Sequence, residues 1–285
     1  VTRILVVTHY FPPEIGAPQA RLSELAESWA AAGDDVTVLT GMPNHPSGVK
    51  PPPYRRKLRL QEYSSGYRVV RTWLYATPNH GVVRKTLGHL SFVVTAVLLG
   101  WPVLGGIDVV VVSSPTFFSI FPAWFIARVR RVPLTIEVRD LWPAIFAELG
   151  VLTNRRLLRW LERVELWLYH SADAVVVVTD GFRDDLVRRG VDPAKLHVIK
   201  NGVDPDRFRP QDADPATRGR LGAAPDVVLA LYIGAHGISQ GLTTVADAAA
   251  RLSSQPTIHF AFVGDGAARQ DLVRRIAELG ADNVT

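Results

Sequence analysis

The amino-acid sequence predicts an α/β protein of two Rossmann-like, doubly wound domains, the second incomplete. Three observations carry this. Short β-branched runs (RILVVT, DVTVLT, DVVVVS, LTIEV, AVVVVT) alternate with stretches that have helical apolar spacing, the pattern of parallel strands joined by crossover helices. A Pro- and Asp-rich segment without apolar periodicity interrupts this alternation at residues 205–226 and reads as a linker. A new cycle of strand, glycine-bearing loop and helix then opens at Val227. The expected organisation is therefore a first domain over 1–204, a linker over 205–226 and a partial second domain over 227–285. A length of 285 residues agrees with roughly two domains of about 150 residues each.

The elements follow in order. Strand Arg3–Thr8 feeds the loop HYFPPEIGAP and then a helix over Gln19–Ala32, where Leu22, Leu25, Ala26 and Trp29 form an apolar stripe. Gly33 stops that helix before strand Asp35–Thr40, giving a right-handed βαβ unit. The Pro/Gly-rich stretch Gly41–Tyr54 is too long for a plain connector. Leu58–Tyr63 and Tyr67–Thr72, joined through Ser-Ser-Gly, predict a hairpin. Thr86–Ile107 holds no Asp, Glu, Lys or Arg in 22 residues. Its glycines and Pro102 argue for a buried or partly membrane-embedded helix rather than a span. Strand Asp108–Ser113, the Ser-Pro-Thr turn, helix Phe117–Arg131 and strand Leu134–Val138 come next. Asn154 can cap a helix over Arg155–His170, whose arginines suit either a solvated face or a membrane-facing one. Strand Ala174–Thr179, helix Gly181–Arg189 and strand His197–Lys200 complete the first domain. In the second, Val227–Ile233 and Ile258–Val263 are strands, Leu242–Leu252 and Ala267–Leu279 are helices, and Asn283–Thr285 opens another strand.

Composition narrows the function classes. The absence of cysteine excludes disulfides, thiolate metal sites and a cysteine nucleophile, and suits a reducing compartment. The first apolar run is short and lacks a basic preamble, so it reads as a strand and not a signal peptide. Residues 1–210 hold 26 Lys and Arg against 19 Asp and Glu, a charge of +7, whereas residues 211–285 carry −2. A basic first part suits a phosphate or lipid headgroup; the excess is too small to indicate nucleic acid. His9, His80 and His89 have no metal-ligand spacing, and no H-E-x-x-H, Walker A or G-x-S-x-G motif occurs.

Ligands of open parallel sheets bind outside the carboxyl ends of the strands. There lie His9-Tyr10, Pro12–Pro18, Ser113-Ser114-Pro115, Arg139-Asp140, Thr179-Asp180 and Asn201-Gly202, with Gly234–Gly241 and Gly264–Gly266 in the second domain. Two such edges facing across a cleft would suit a two-substrate transfer enzyme. The strand–loop–helix around Gly16 is an anion site at a helix N-terminus. Each position has a plainer alternative: Gly16 as a turn, Asp140 as a helix cap, Asn201-Gly202 as a turn. The first strand lacks G-x-G-x-x-G, which argues against a dinucleotide oxidoreductase or a nucleotide-sugar epimerase.

The segments HYFPPEIGAPQAR, EVRDLWP, VIKNGVDPDRF, YIGAHGISQGL and FVGDGAARQDL, in this order, resemble the GT-B glycosyltransferases of family 4. The likeness is greatest to the bacterial exopolysaccharide, O-antigen, colanic-acid and fucosamine-transferase branch, and covers nearly the whole chain. The resemblance implies a retaining, metal-independent transfer of sugar from a nucleotide-diphosphate donor, with no cofactor. It implies a polyprenyl-linked or other glycan acceptor held by the first domain, at the inner face of the cytoplasmic membrane. Carried onto this sequence, Gly16 and Ala17 lie in the loop that meets the donor diphosphate. Arg139 and Asp140, the catalytic candidates, stand where many relatives have His or His-Asp. Asn201, Gly234, His236, Gln240, Gly241, Gly264, Asp265 and Gly266 are candidate donor contacts. Ala235 and Gln240 replace the Arg and Lys of many relatives, Gln being common in the resembled branch. The family's distal pair of glutamates around a glycine-rich loop is expected beyond Thr285. The chain is thus expected to be C-terminally truncated, binding donor poorly and turning over weakly by itself. The competing expectation is a non-catalytic glycan- or lipid-binding fragment or accessory subunit.

Overall fold

The computed structural model describes residues 1–45, 47–78, 82–114, 116–148, 150 and 152–285, at residue 82 by backbone alone. His80 and Pro115, named above, lie outside them. Contacts divide the chain into two compact units, Val1–Asn201 and Gly202–Thr285.

In the first unit, β1 (Arg3–Val7), β2 (Asp35–Gly41), β3 (Arg59–Ser64), β4 (Tyr67–Thr72), β5 (Val109–Ser114), β6 (Leu134–Val138), β7 (Ala174–Val177) and β8 (Leu196–Val198) form one sheet. Their spatial order is β3-β4-β2-β1-β5-β6-β7-β8. All neighbours are parallel except β3 and β4. That hairpin turns through Ser65 and Gly66, both at positive φ (46° and 84°), as a two-residue turn that follows strand twist requires. The winding direction reverses beside β1, which has β2 on one side and β5 on the other.

The apolar runs are buried from both sides. Helix α1 (Ala17–Ala31) lays Leu22 and Ala26 over Ile4, Val6, Val36, Val38 and Val69. On the opposite face, α2 (Val82–Thr95), α3 (Ile120–Arg130) and α5 (Arg155–Ser171) contribute Phe92, Ile120, Ile126, Leu168 and Tyr169 to a larger cluster. Leu5, Val7, Val112 and Ile136 join them there. Each such side chain contributes roughly 1.5–3 kcal/mol on burial. The short α4 (Ala144–Glu148) and α6 (Asp180–Arg188) complete the set. Asn154 Oδ1 accepts from Arg156 N (3.0 Å) and Leu157 N (3.2 Å), capping α5.

Helix α2 continues through a π-helical turn, Ala96–Gly100, and a 3-10 turn, Trp101–Val103. Residues Val83–Val103 are long and apolar enough to cross a membrane by length and composition. One side nevertheless packs on the sheet: Phe92 and Ala96 are fully buried, and a Cβ at Gly100 would stand 2.5 Å from Leu39 Cδ1. The other side is open. Val83, Leu87, Leu90, Val94 and Leu98 are between 44% and 74% exposed. The helix is therefore half buried, because its apolar residues encircle it while the sheet covers only one stripe.

The second unit has α7 (Pro215–Arg220), β9 (Val228–Ile233), α8 (Leu242–Arg251), β10 (Ile258–Val263) and α9 (Arg269–Leu279). β9 and β10 are parallel, and Val284 bridges to Phe260. The linker expected over 205–226 needs correction, since it contains α7. Asp214 caps that helix through Ala216 N (3.2 Å) and Thr217 N (3.0 Å), and Pro215 opens it. A helix held by its cap and by Arg218 bonding back to the Ala224 carbonyl at 3.1 Å needs no apolar stripe.

One buried charge cluster ties α5 to the end of α6. Glu165 is 0% exposed, accepts from Tyr169 Oη at 3.0 Å and pairs with Arg189. Arg189→Met would leave Glu165 buried without its cation and should destabilise the first unit by about 3–5 kcal/mol. Urea unfolding followed by tryptophan fluorescence reads this unit alone, because all seven tryptophans precede Asn201. Adding Glu165→Leu to Arg189→Met should recover part of the loss.

Candidate functional site

Gly16 is the N-cap of α1, in extended backbone (φ 168°, ψ 165°), and no side chain caps the helix. Ala17 is its first residue, and Pro18 has no N–H to satisfy. The Ala17 and Gln19 N–H groups are thus the donors left at this end. A Cβ on Gly16 would stand 2.5 Å from Gln19 Oε1, so a larger residue displaces that amide. The loop before Gly16 is fixed from two directions. Buried Glu14 accepts from Asn44 N (2.7 Å), His45 N (2.7 Å) and Phe11 N (3.2 Å). Burial raises the Glu14 pKa, and the three N–H groups oppose that rise. Arg71, 3% exposed on β4, pairs with Glu62 and donates to the Pro12 carbonyl.

At the carboxyl end of β6 the structure brings two predicted residues together: Arg139 Nη1 donates to Asn201 Oδ1 at 3.1 Å. Arg139 also lies 3.8 Å from Glu137 Oε1, the atom that accepts from Arg21 of α1. Two guanidiniums thus share one buried carboxylate, and Asp140 beside Arg139 adds a second, so the two cations face two carboxyl groups. Burial lowers the Arg139 pKa, with Glu137 opposing; burial raises that of Asp140, with Arg139 opposing. The alternative role of Asp140 as a helix cap is not realised. Helix α4 starts at Ala144, and the Asp140 carboxylate accepts no hydrogen bond among the described residues.

In the second unit the two glycine loops are laced together at the carboxyl edge. Gly234 N donates to the Val263 carbonyl (3.0 Å), His236 N to the Asp265 carbonyl (2.9 Å), and Ala268 N to the His236 carbonyl (2.8 Å). A Cβ on Gly264 would overlap the Gly234 carbonyl, and one on Gly266 would overlap the His236 backbone. Asp265 Oδ1 accepts from Gly266 N at 2.8 Å. The His236 ring is 3% exposed, with neither nitrogen partnered among the described residues. Gly241, at φ 58°, is the N-cap of α8, again without a capping side chain; the left-handed backbone explains glycine there. Gln240 is exposed and accepts from Ser239 Oγ at 3.2 Å. This edge presents the uncapped N–H groups of α8.

The residues missed by sequence reasoning are Glu14, Arg21, Arg71 and Glu137, all of which act on segments distant in the chain. Among the described residues no group of three or more His, Cys, Asp or Glu could hold a metal ion.

Residues 16–202 match the glycosyl transferase 4-like domain. The chain is 25% identical over 294 residues to WcaI of Escherichia coli K12, named as a colanic acid biosynthesis glycosyl transferase. The match covers 99% of this chain and 70% of that one. It is 30% identical over 152 residues to alpha-maltose-1-phosphate synthase of Mycolicibacterium smegmatis, over 50% of this chain and 38% of the other. Among solved structures, Anabaena HepE in complex with UDP and glucose aligns with a TM-score of 0.67 at 17% identity, covering 100% of this chain and 68% of HepE. WaaG, a glycosyltransferase involved in lipopolysaccharide biosynthesis, aligns with a TM-score of 0.61 at 18% identity, over 99% of this chain and 69% of WaaG. The shared architecture is GT-B, and the chain belongs to the glycosyl transferase 4-like family.

Proposed function

We propose that the protein transfers a sugar, with retention of anomeric configuration, from a nucleotide-diphosphate donor to a lipid-linked glycan in cell-surface polysaccharide synthesis. The observation that carries this is the uncapped start of α1 at Gly16 together with the Arg21–Glu137–Arg139 cluster in the same unit. Oriented N–H groups and the Arg139 guanidinium suit a leaving diphosphate, whose developing charge they stabilise without a metal ion. The names of WcaI, HepE and WaaG support the same reading. The glycine loops of the second unit pack on each other at the carboxyl edge of its strands, the edge where open α/β sheets bind their ligands. Calorimetry with UDP, GDP and NAD tests the donor class. Heat with UDP or GDP alone is expected; heat with NAD alone would indicate a dinucleotide enzyme, and heat with none a non-catalytic module.

The working location proposed is the inner face of the cytoplasmic membrane. The open stripe Val83, Leu87, Leu90, Val94 and Leu98 is flanked by exposed Arg84 and Lys85. On the same side of the sheet, α5 exposes Arg156, Arg159, Trp160, Arg163 and Trp167. Apolar residues and tryptophan beside arginine are the composition of a helix lying in an anionic interface.

Two outcomes follow. Gly16→Val should lower sugar turnover by about tenfold to a hundredfold with little change in thermal unfolding, since the group it displaces is the flexible end of Gln19; steady-state kinetics beside a melting curve separate the two. Leu87→Glu with Leu90→Glu should weaken sedimentation with phosphatidylglycerol vesicles by at least about tenfold, each leucine contributing roughly 1.5–3 kcal/mol when buried. Binding of the nucleoside diphosphate, UDP or GDP, should stay unchanged.

A further inference from the structure

Residues 47–54 fold against residues 73–78, the chain that leaves β4. Gly48 sits at φ 73°, where a Cβ would overlap the Thr77 carbonyl, so the two segments are in close backbone contact. Glu14 pins the chain just before them, accepting from the Asn44 and His45 N–H groups at 2.7 Å each. Between the segments lies a cavity of about 320 Å³, with Lys50, Arg55, Trp73 and Tyr75 among its lining residues. That volume stands at the small end of the range for small-molecule sites, roughly 300–1,000 Å³.

Lys50 is the unusual member. It is 9% exposed, a depth at which lysine is seldom found without a paired charge. Its ammonium lies 4.6 Å from the centroid of the Trp73 ring and makes no hydrogen bond or ion pair among the described residues. Burial pushes its pKa down, and no carboxylate acts in the opposite direction. Arg55 Nε donates to the Lys50 carbonyl at 3.0 Å, which leaves the remaining guanidinium N–H groups to the cavity that Arg55 lines. No Asp or Glu lines it. Glu62, the acidic residue of the neighbouring β3–β4 hairpin, is taken by Arg71 and by Tyr54 Oη at 3.3 Å. Two cations without a carboxylate, one of them nine-tenths desolvated, have an anion as their complement. A compact ammonium beside a planar guanidinium suits an oxyanion with oxygens in several directions, a phosphate more than a carboxylate.

The source of the phosphate follows from the wall of the cavity. Tyr75 joins it to α2: the Tyr75 N–H donates to Ser91 Oγ at 2.8 Å, and a Cβ at Gly88 would stand 2.9 Å from the Tyr75 carbonyl. Leu87 and Leu90, next to Gly88 and Ser91 in sequence, are 51% and 44% exposed. A phosphodiester that carries acyl chains meets both features, its charge at Lys50 and Arg55 and its chains on the apolar stripe. We infer that this cavity takes the phosphate of an anionic membrane phospholipid, held by Lys50 and Arg55 beside α2. The site stands at the end of β4, with β2 between that strand and β1, and serves the membrane surface rather than either substrate of sugar transfer. It rests on the membrane-surface reading and adds a specific headgroup contact to the diffuse attraction of exposed basic residues.

The test uses the chain with 13Cε-labelled lysine, because only five lysines occur and the indole under Lys50 sets its signal apart by ring current. Dihexanoylphosphatidylglycerol, kept below its micelle concentration, is titrated beside dihexanoylphosphatidylcholine, inorganic phosphate and UDP. The Lys50 signal should move saturably with phosphatidylglycerol while that of exposed Lys200 stays in place. The other three probes should bind more weakly by about tenfold or more, lacking either the net charge or the acyl chains. Arg55→Gln, at an exposed position, should weaken the phosphatidylglycerol response by about tenfold. Lys50→Gln should abolish the heat of binding in calorimetry with the same lipid. A Lys50 signal indifferent to every probe, or unaltered affinity in Arg55→Gln, would overturn the site. Equal movement of Lys200 would mean diffuse attraction, and equal affinity for inorganic phosphate a free-phosphate site; either overturns the lipid assignment. Vesicle sedimentation of Leu87→Glu with Leu90→Glu reads the membrane-surface reading separately, so either can fail without the other.

Discussion

One buried carboxylate organises the working edge of the first unit. Glu137 sits at the end of a central strand, where a charge without partners would be prohibitively desolvated. It is stabilised by Arg21 from α1 and by Arg139 two residues further along the chain. The consequence is geometric. Arg21 fixes the rotation of α1 about its axis, and thereby the direction in which the N–H groups beyond Gly16 point. Arg139, held on its other side by Asn201, cannot swing into solvent. Glu14 and Arg71 extend the same logic to the loop before Gly16, with three N–H donors on the carboxylate and the Pro12 carbonyl on the guanidinium. Charges that would be liabilities one by one become a rigid frame because each has its partner on a different element.

That frame explains which parts of the protein could be read from sequence. Strands such as RILVV and LTIEV are legible because burial on both faces demands continuous apolar, β-branched side chains. The α5 start is legible because a cap is a local contact between Asn154 and residues two and three further on. Arg21 and Glu137 are not, since their pairing spans more than a hundred residues, and in a helix or strand pattern each looks like an ordinary solvent-facing charge. Helix α7 fell inside the expected linker although Asp214-Pro215 carried a start signal; the missing apolar stripe outweighed it. For α2, composition was informative about apolarity and silent about coverage. A helix apolar all round can be wrapped by protein or left half open, and only the sheet's extent decides which.

His9 shows the same limit at the site. Its place after β1 was visible, but its neighbour His89 arrives from a helix eighty residues away, with no periodic relation to it. That neither Nδ1 has a hydrogen-bond partner among the described residues is a property of the packed fold, which no spacing rule contains.

The distribution of charge then separates two tasks that net charge alone confounds. A first part carrying +7 invites the idea of a cationic cradle for phosphate. At the carboxyl edge, however, Arg21 and Arg139 share Glu137 and Arg139 also faces Asp140, so the cradle carries no surplus cation and must depend on oriented N–H groups. The surplus lies elsewhere, on the exposed Arg155, Arg156, Arg159 and Arg163 of α5 and on Arg84 and Lys85 at the start of α2. Those groups stand beside exposed Trp160, Trp167, Leu87 and Leu90, where a compact diphosphate could not engage them together but an extended anionic surface could. Weak, directional charge therefore lies at the carboxyl edge, and strong, diffuse charge lies on the exposed helix faces proposed to meet the membrane.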